Sequence, residues 1–355
     1  MRSRGRWQPW LHRHSHRQIS VAIAAAAAPE SLVAVAAEIR ESARSLVKQG
    51  LPARRLTRLI SRLNDSLTRR MVELISQQTG VATADFCWLA FGSEGRKEQT
   101  IATDQDNGIV YFDRPGSAPQ QQILLMAVEV NRWLDRCGYP LCRGNVMAGN
   151  PECCLTLAGW RSRFDHWLSR GSPQDLLDAS IFFDLRPLAG NLGLGQDLHA
   201  YLMEKVPGHS LFLKLLSDNA LRNAPPASLL PGVLGALLPD ASSIDLKLSG
   251  TMPLVDGARL LALAHGISAY GTAERYEALM GRALIAKADC HAWVDAFEFL
   301  QSLRLKVQLE PGHPAGGRSA NTLILDHLAG PDRDGLKKAL GRIHELQQRL
   351  ALDYP

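Results

Sequence analysis

The chain has 355 residues, a formal charge of +5, and a composition 46% apolar and 21% charged. That is the balance of an ordinary globular protein with room for two or three domains. So mild a positive charge does not by itself imply nucleic-acid binding, and no aromatic-basic recognition motif such as an RRM signature occurs. The six cysteines include the adjacent pair Cys153 and Cys154; they form neither a zinc spacing nor a disulfide framework, and read as reduced thiols of a cytoplasmic protein.

The N-terminus carries Arg2, Arg4, Arg6, Arg13 and Arg17 ahead of any acidic residue, followed by an alanine-rich run from Ile19 to Ala28. This resembles the basic and apolar regions of a signal peptide, but the run is short and weakly hydrophobic, so a basic extension leading into a helix is preferred. His12, His14 and His16 lie in this extension and read as a solvated tail rather than a metal site. No stretch reaches the roughly 20 apolar residues of a transmembrane helix. From Pro29 to Thr79 apolar residues recur at helical spacing, among them Leu32, Val35, Ile39, Leu56, Ile60 and Leu63. Gly50 and Pro52 divide this stretch into two helices.

The chemistry is concentrated between Phe86 and Phe112. Phe86 to Phe91 is an apolar run closed by Gly92, a short buried strand. Gly92 and Ser93 turn the chain, Glu94 to Thr100 suits a short helix, and Asn107 to Phe112 reads as a partner strand. Asp104 and Asp106 lead into that second strand and, two residues apart on extended backbone, point the same way. Adjacent carboxylates repel unless a cation lies between them or one keeps its proton. Magnesium takes hard oxygen ligands, usually one or two carboxylates plus substrate phosphates. The Gly92-Ser93 bend offers a polyphosphate backbone N–H groups and a hydroxyl, and Arg96, one turn past Ser93, can pair with phosphate oxygens. A Walker loop lacks its Gly-Lys-Ser/Thr, a Rossmann fingerprint its third glycine, and an EF-hand starting at Asp104 would put Ile109 at its glycine and Pro115 at its closing glutamate.

Downstream, Gln120 to Cys137 is an amphipathic helix stopped by Gly138-Tyr139-Pro140, and Leu141 to Met147 would be the next strand and loop. Thr156 to Ser169 is helical, its Trp160 and Trp167 reading as core rather than a base-stacking surface. From about Leu198 the pattern is helical to the end, broken at Pro207-Gly208, Pro225-Pro226, Pro231-Gly232, Ser249-Gly250 and the loop Pro311 to Gly317. Pro253 suits the first turn of a helix running to His265, Thr272 can cap the next, and Cys290–Leu309 and Asp334–Leu352 are long amphipathic helices. Short joins between antiparallel helices argue a bundle. Within it Arg259, Arg304, Gln308 and Asn321 are polar positions in apolar surroundings, read as hydrogen-bonded structural groups with a reach toward the nucleotide as the alternative.

The ordered combination of strand, Gly-Ser, helix and Asp-x-Asp is similar to the nucleotidyltransferase superfamily of the DNA polymerase β type. Its fuller form, Gly92-Ser93-Glu94-Gly95-Arg96-Lys97-Glu98-Gln99 with Thr103-Asp104-Gln105-Asp106-Asn107, resembles the nucleotidyltransferase domain of bacterial CBS-domain proteins, related to the N-terminal domain of protein-PII uridylyltransferase. The resemblance implies an α+β fold: a helical leader over 1–79, a nucleotidyltransferase core with a small mixed sheet over 80–190, and a substrate-binding helical bundle over 191–355. It implies Asp104 and Asp106 as catalytic metal ligands for Mg2+ or Mn2+, and Gly92, Ser93 and Arg96 as the grip on an NTP co-substrate. It also brings in Asp184, since the phrase Phe183-Asp184-Leu185-Arg186-Pro187 is similar to the strand that bears a third acid in uridylyl- and adenylyltransferases; a structural pairing with Arg186 or a neighbour is the competing reading. UMP transfer to a PII-type signalling protein is the favoured activity, with a non-catalytic nucleotide- or partner-binding module and an aminoglycoside-type enzyme as alternatives. Fewer than about a hundred residues precede the motif, too few for a tandem CBS pair, and no His-Asp dipeptide occurs, so neither nucleotide sensing nor the phosphohydrolase activity is carried over.

Overall fold

A computed structural model of the chain describes residues 9–170, 180–230, 242–309 and 319–355. Helices α1 (Pro9–Ala25), α2 (Pro29–Lys48) and α3 (Ala53–Thr79) come first. The α2–α3 break falls at Gly50 and Pro52, as their conformational limits require. Then come β1 (Phe86–Ala90), the single turn α4 (Gly92–Gly95), β2 (Asn107–Tyr111), α5 (Gln120–Arg136), β3 (Cys154–Thr156) and α6 (Leu157–Arg170). A 3-10 turn at Ser180–Asp184 leads into β4 (Arg186–Gly190). The remainder holds α7 (Leu192–Lys205), α8 (Ser210–Arg222), β5 (Ser243–Asp245), a π-helical turn Leu246–Thr251, α9 (Met252–Ala264), α10 (Thr272–Gly281), α11 (Lys287–Val307), β6 (Thr322–Ile324) and α12 (Gly330–Asp353).

The fold is α+β: a four-stranded mixed sheet of order β3-β2-β1-β4, antiparallel except where β2 meets β3, and a separate β5-β6 pair. All of β1 is buried because both faces of the sheet are covered, which is why it reads as an unbroken apolar run rather than an alternating one. Alternation still assigns its side chains. Phe86, Trp88 and Ala90 join Ile109 and Tyr111 of β2 against α1, α2, α3 and α5. Cys87, Leu89 and Phe91 join Val110 against α6 and α7 and, through them, the C-terminal helices. Trp160 and Phe164 of α6 stack with ring centroids 5.7 Å apart, and the Trp160 indole N–H donates to the Ile109 carbonyl at 2.8 Å. The tryptophans of this helix serve the core.

Three local expectations are corrected. The helix after Gly92 stops at Gly95 instead of reaching Thr100, and Lys97 takes a left-handed backbone (φ 58°). The reason is side-chain capture: Gln99 bonds back to α3 through Ser61 and Asn64, and Arg96 and Glu98 turn toward the bundle. No strand forms over 141–147; the third strand lies at Cys154–Thr156, after a turn in which Asn145 has φ 55°. The C-terminal part is not helical throughout, since Ser243–Asp245 and Thr322–Ile324, far apart in the chain, pair as strands. The expected breaks at Pro231-Gly232 and Pro311 to Gly317 lie outside the described residues.

Candidate functional site

β1 and β2 pair in register from Phe86–Tyr111 to Ala90–Asn107, so the bend after β1 and the aspartates before β2 meet at one end of the sheet. The Phe91 N–H donates to the Asp106 carbonyl at 2.9 Å, extending the ladder to the site itself. Carboxylate oxygens of Asp104 and Asp106 and the Cys142 sulfur lie within 4.8 Å of one another. Gly92 has φ +52°, and a Cβ there would sit 2.9 Å from Asp106 Oδ2 and 3.0 Å from Ile181. Only glycine lets the bend close against the carboxylate.

Asp106 is buried while Asp104 opens to the cleft. Burial, and then the Asp104 charge, push the Asp106 carboxyl up to about 6, although the Cys142 thiol donates a hydrogen bond to it. Burial and the neighbouring Asp106 lift the Cys142 thiol to about 11. Among the described residues, the ion pairs of the surrounding core engage Asp65, Glu98, Asp184 and Asp256, not this pair of aspartates. Lys247 and Arg96 offset only part of the repulsion at the buried Asp106, and two carboxylates this close leave a place where a cation could sit. The oxygen donors and the room at Gly92 fit a divalent metal ion.

The intervening residues hold the pair in place. Gln105 and Asn107 face the opposite way and are buried. The Gln105 amide donates to the carbonyls of Asn131 and Tyr139, the Asn131 amide donates to Gln105 Oε1 and Asn107 Oδ1, and the Ala148 N–H donates to Asn107 Oδ1. This lock ties the site to α5 and to the loop that carries Cys142. Sequence reasoning named neither Asn131 nor Cys142; the only signal was a polar residue on the buried face of an amphipathic helix.

Opposite the pair, a cleft of about 410 Å³ counting its solvent mouth is lined on one wall by Ser93, Arg96, Thr103 and Asp104. The bundle supplies the other wall with Lys247, Thr251, Gln301 and Arg304. Arg304 is buried on neutral partners, donating to Gln301 Oε1 (2.8 Å), Asn321 Oδ1 (3.1 Å) and the Thr251 hydroxyl (3.4 Å). Burial lowers its pKa to about 10 despite the field of Asp245. Gln308 accepts from the Ala102 N–H at 3.3 Å and donates to Asn321. Three of the bundle positions noted in the sequence therefore gather beside the loop that carries Asp104.

Two candidates are held by buried ionised neighbours. Asp184 is not brought to the aspartate pair: its Oδ1 accepts from Arg275 (2.7 Å) and Arg259 (3.2 Å), and its Oδ2 from Arg259 (2.7 Å) and Arg96. Burial alone would raise this carboxyl, but Arg259, Arg96 and Arg275 hold it far below the usual carboxylate range. Arg96 lines the cleft, yet its guanidinium also bonds Glu98 Oε2 at 2.9 Å. Glu98 in turn accepts from the N–H and hydroxyl of Thr272, the first residue of α10. Arg186 donates to the Glu94 and Gly95 carbonyls and to Asp65, clamping α4 between β4 and α3. The core and the bundle are thus joined by buried charges directly behind the cleft.

Among the described residues, no helix is long and apolar enough to cross a membrane. No curated protein matches the chain. Family models do: residues 37–174 match the family described as "Putative nucleotidyltransferase DUF294", and residues 210–354 match the one described as "Putative nucleotidyltransferase substrate binding domain". Between them they take in the aspartate pair, the bend and the opposite wall of the cleft. The chain belongs to this nucleotidyltransferase family, with its substrate-binding helical domain in place.

Proposed function

We propose that the protein moves a nucleoside monophosphate from an NTP to a hydroxyl acceptor, with Asp104 and Asp106 seating one or two divalent ions, Mg2+ or Mn2+. The observation that carries this reading is the convergence of the two carboxylates against a Cβ-free bend at the mouth of a basic cleft. When bound, the metal polarises the reacting phosphoryl group and lowers the pKa of the acceptor hydroxyl. The chain's own part is positioning and charge. Ser93 and the backbone at Gly92 hold the β- and γ-phosphates. Lys247 and Arg304 face them from the bundle, where a buried guanidinium with only neutral partners gains most from an anion. Arg96 adds positive charge at the cleft floor while its bonds to Glu98 and Asp184 keep it rigid. Gln105, Asn107 and Asn131 fix the aspartates before substrate arrives, so little reorganisation remains for the reaction itself. Asp184 acts here as the anchor of three arginines rather than as a third ligand.

UMP as the transferred group and a PII-type protein as the acceptor follow from the family resemblance. A second reading, a module that binds nucleotide without transferring it, is favoured by the commitment of Asp184 to arginines. One assay separates the two. Incubation with Mg2+, labelled nucleotides and candidate acceptors yields covalent label with the wild-type chain, and none with Asp104→Asn combined with Asp106→Asn, whose circular dichroism stays native. Turnover retained by the double variant refutes the assignment. Nucleotide-induced stabilisation without label selects the binder.

A further inference from the structure

Arg304 of α11 brings a buried positive charge to the cleft wall, and everything that holds it there is neutral. Its Nε donates to Asn321 Oδ1, and its Nη1 to Gln301 and Thr251. Among the described residues these are its bonds, so the two N–H groups on Nη2 are left for a ligand. Asn321 lies behind this side chain, outside the cleft lining, yet bonds from several directions converge on it. Its Oδ1 also accepts from Gln308 Nε2 at 3.0 Å, while Gln308 Oε1 takes the N–H of Ala102, on the loop that carries Asp104. Its amide donates to the Ser319 hydroxyl at 3.3 Å. Its backbone carbonyl accepts from the Leu246 N–H at 3.0 Å, one step beyond the Asp245–Thr322 pair of β5 and β6. Leu246 opens the π-helical turn that brings Lys247 and Thr251 to the cleft. The short β5-β6 pair thus delivers one asparagine to the point where the two parts of the bundle wall meet.

The choice of an amide at this position has a chemical consequence. A carboxylate would grip the guanidinium more firmly, because a bond between two charged groups is the stronger kind. It would also neutralise the charge and leave less of it for an incoming anion. An amide oxygen fixes the guanidinium plane and leaves the charge uncompensated, and Gln301 and Thr251 follow the same rule. We infer that Asn321 is a positioning residue for the proposed transfer: its neutral oxygen aims Arg304 at the triphosphate without neutralising it, and Gln308 ties that aim to the loop bearing Asp104. The inference rests on reading Arg304 as a phosphate-binding group. Asn321 itself touches neither the metal site nor the phosphates.

The test uses the full chain, with inorganic tripolyphosphate and Mg2+ as the probe in calorimetry and the urea midpoint as the measure of stability. In Asn321→Asp the bonds from Arg304 and Gln308 can be remade, and the Ser319 hydroxyl can donate where it accepted. The expected result is a midpoint held or raised while tripolyphosphate affinity falls about tenfold or more, the scale of one hydrogen bond to a charged group. Asn321→Leu, which removes the acceptor, lowers both. Arg304→Gln also loses affinity, and adding Asn321→Asp to it costs much less than in the wild type, a coupling that separates neutralised Arg304 from general repulsion by a new charge. A purely structural asparagine would instead leave affinity intact wherever the midpoint is held. Undiminished affinity in Asn321→Asp, a lowered midpoint there, or an equal loss with and without Arg304 overturns the inference and leaves the transferase reading standing. A wild-type chain that does not bind tripolyphosphate overturns it as well. Binding that Asn321→Asp weakens as expected, in a protein whose wild type labels no acceptor, keeps the inference and sinks the transfer reading instead.

Discussion

At Gly92 one methyl group separates a closed site from a broken one. A Cβ there meets Asp106 Oδ2 at 2.9 Å and the Ile181 side chain at 3.0 Å, on a backbone with φ +52°. Gly92→Ala is expected to cost about 1–2 kcal/mol in stability from the left-handed backbone alone, and to weaken Mn2+ binding about tenfold because the carboxylate must move. Unchanged Mn2+ affinity by calorimetry would show that the bend does not shape the metal site. Glu94, one residue past Ser93, is buried; burial, then Asp65, lift its carboxyl from 4.5 to about 8 against the pull of Arg186. The folded chain then keeps a proton that the unfolded chain has lost, so this group's contribution to stability is full below pH 4.5, declines up to about pH 8 and is flat beyond. Glu94→Gln should flatten urea midpoints across that window, and identical pH profiles for the two proteins would contradict the burial argument. The aspartate pair and the bend were legible in the sequence because each is a short run with its own geometric rule. Cys142 and Asn131 were not, since they lie 36 and 25 residues beyond Asp106 and enter only when the loop and α5 fold back.

Among the elements, the turn before β4 carries a cluster of buried charge. Asp184 sits between Arg96 of the core and Arg259 and Arg275 of the bundle, all buried. Removing one member of such a cluster leaves uncompensated charge, a loss of about 3–5 kcal/mol. Asp184→Asn is therefore expected to lower the urea midpoint sharply while Mn2+ affinity of the remaining folded protein holds. Full stability with lost metal binding would restore Asp184 as a ligand. The strand-turn-strand unit, the α2–α3 break and the long helices α11 and α12 were readable from local periodicity. The 3-10 turn bearing Asp184, the three-residue strand β3 and the β5-β6 pair were not, because each owes its form to partners distant in sequence. Arg275 and Asp184 are 91 residues apart, and no local pattern reports that pairing.

For the whole molecule, one apolar cluster runs through both family halves: Leu89 of β1 and Phe91 just after it belong with Leu261 of α9 and Leu300 of α11. Arg54 of α3 pairs with Glu277 and Glu298, and Arg58 with Glu274, across the same junction. The cleft consequently lies between parts packed on a common core, with the wall bearing Ser93 and Asp104 and the wall bearing Lys247 and Arg304 set in advance. That arrangement was legible only as an α+β core followed by a bundle; its closeness depends on buried charge that the sequence scatters. The most direct measurement is a crystal structure with Mn2+ and a non-hydrolysable NTP analogue, read through the anomalous signal of manganese. The account predicts a peak in ligand contact with both Asp104 and Asp106 and a triphosphate running from Ser93 toward Lys247 and Arg304. A manganese peak away from the two aspartates, with the triphosphate bound elsewhere, would contradict it.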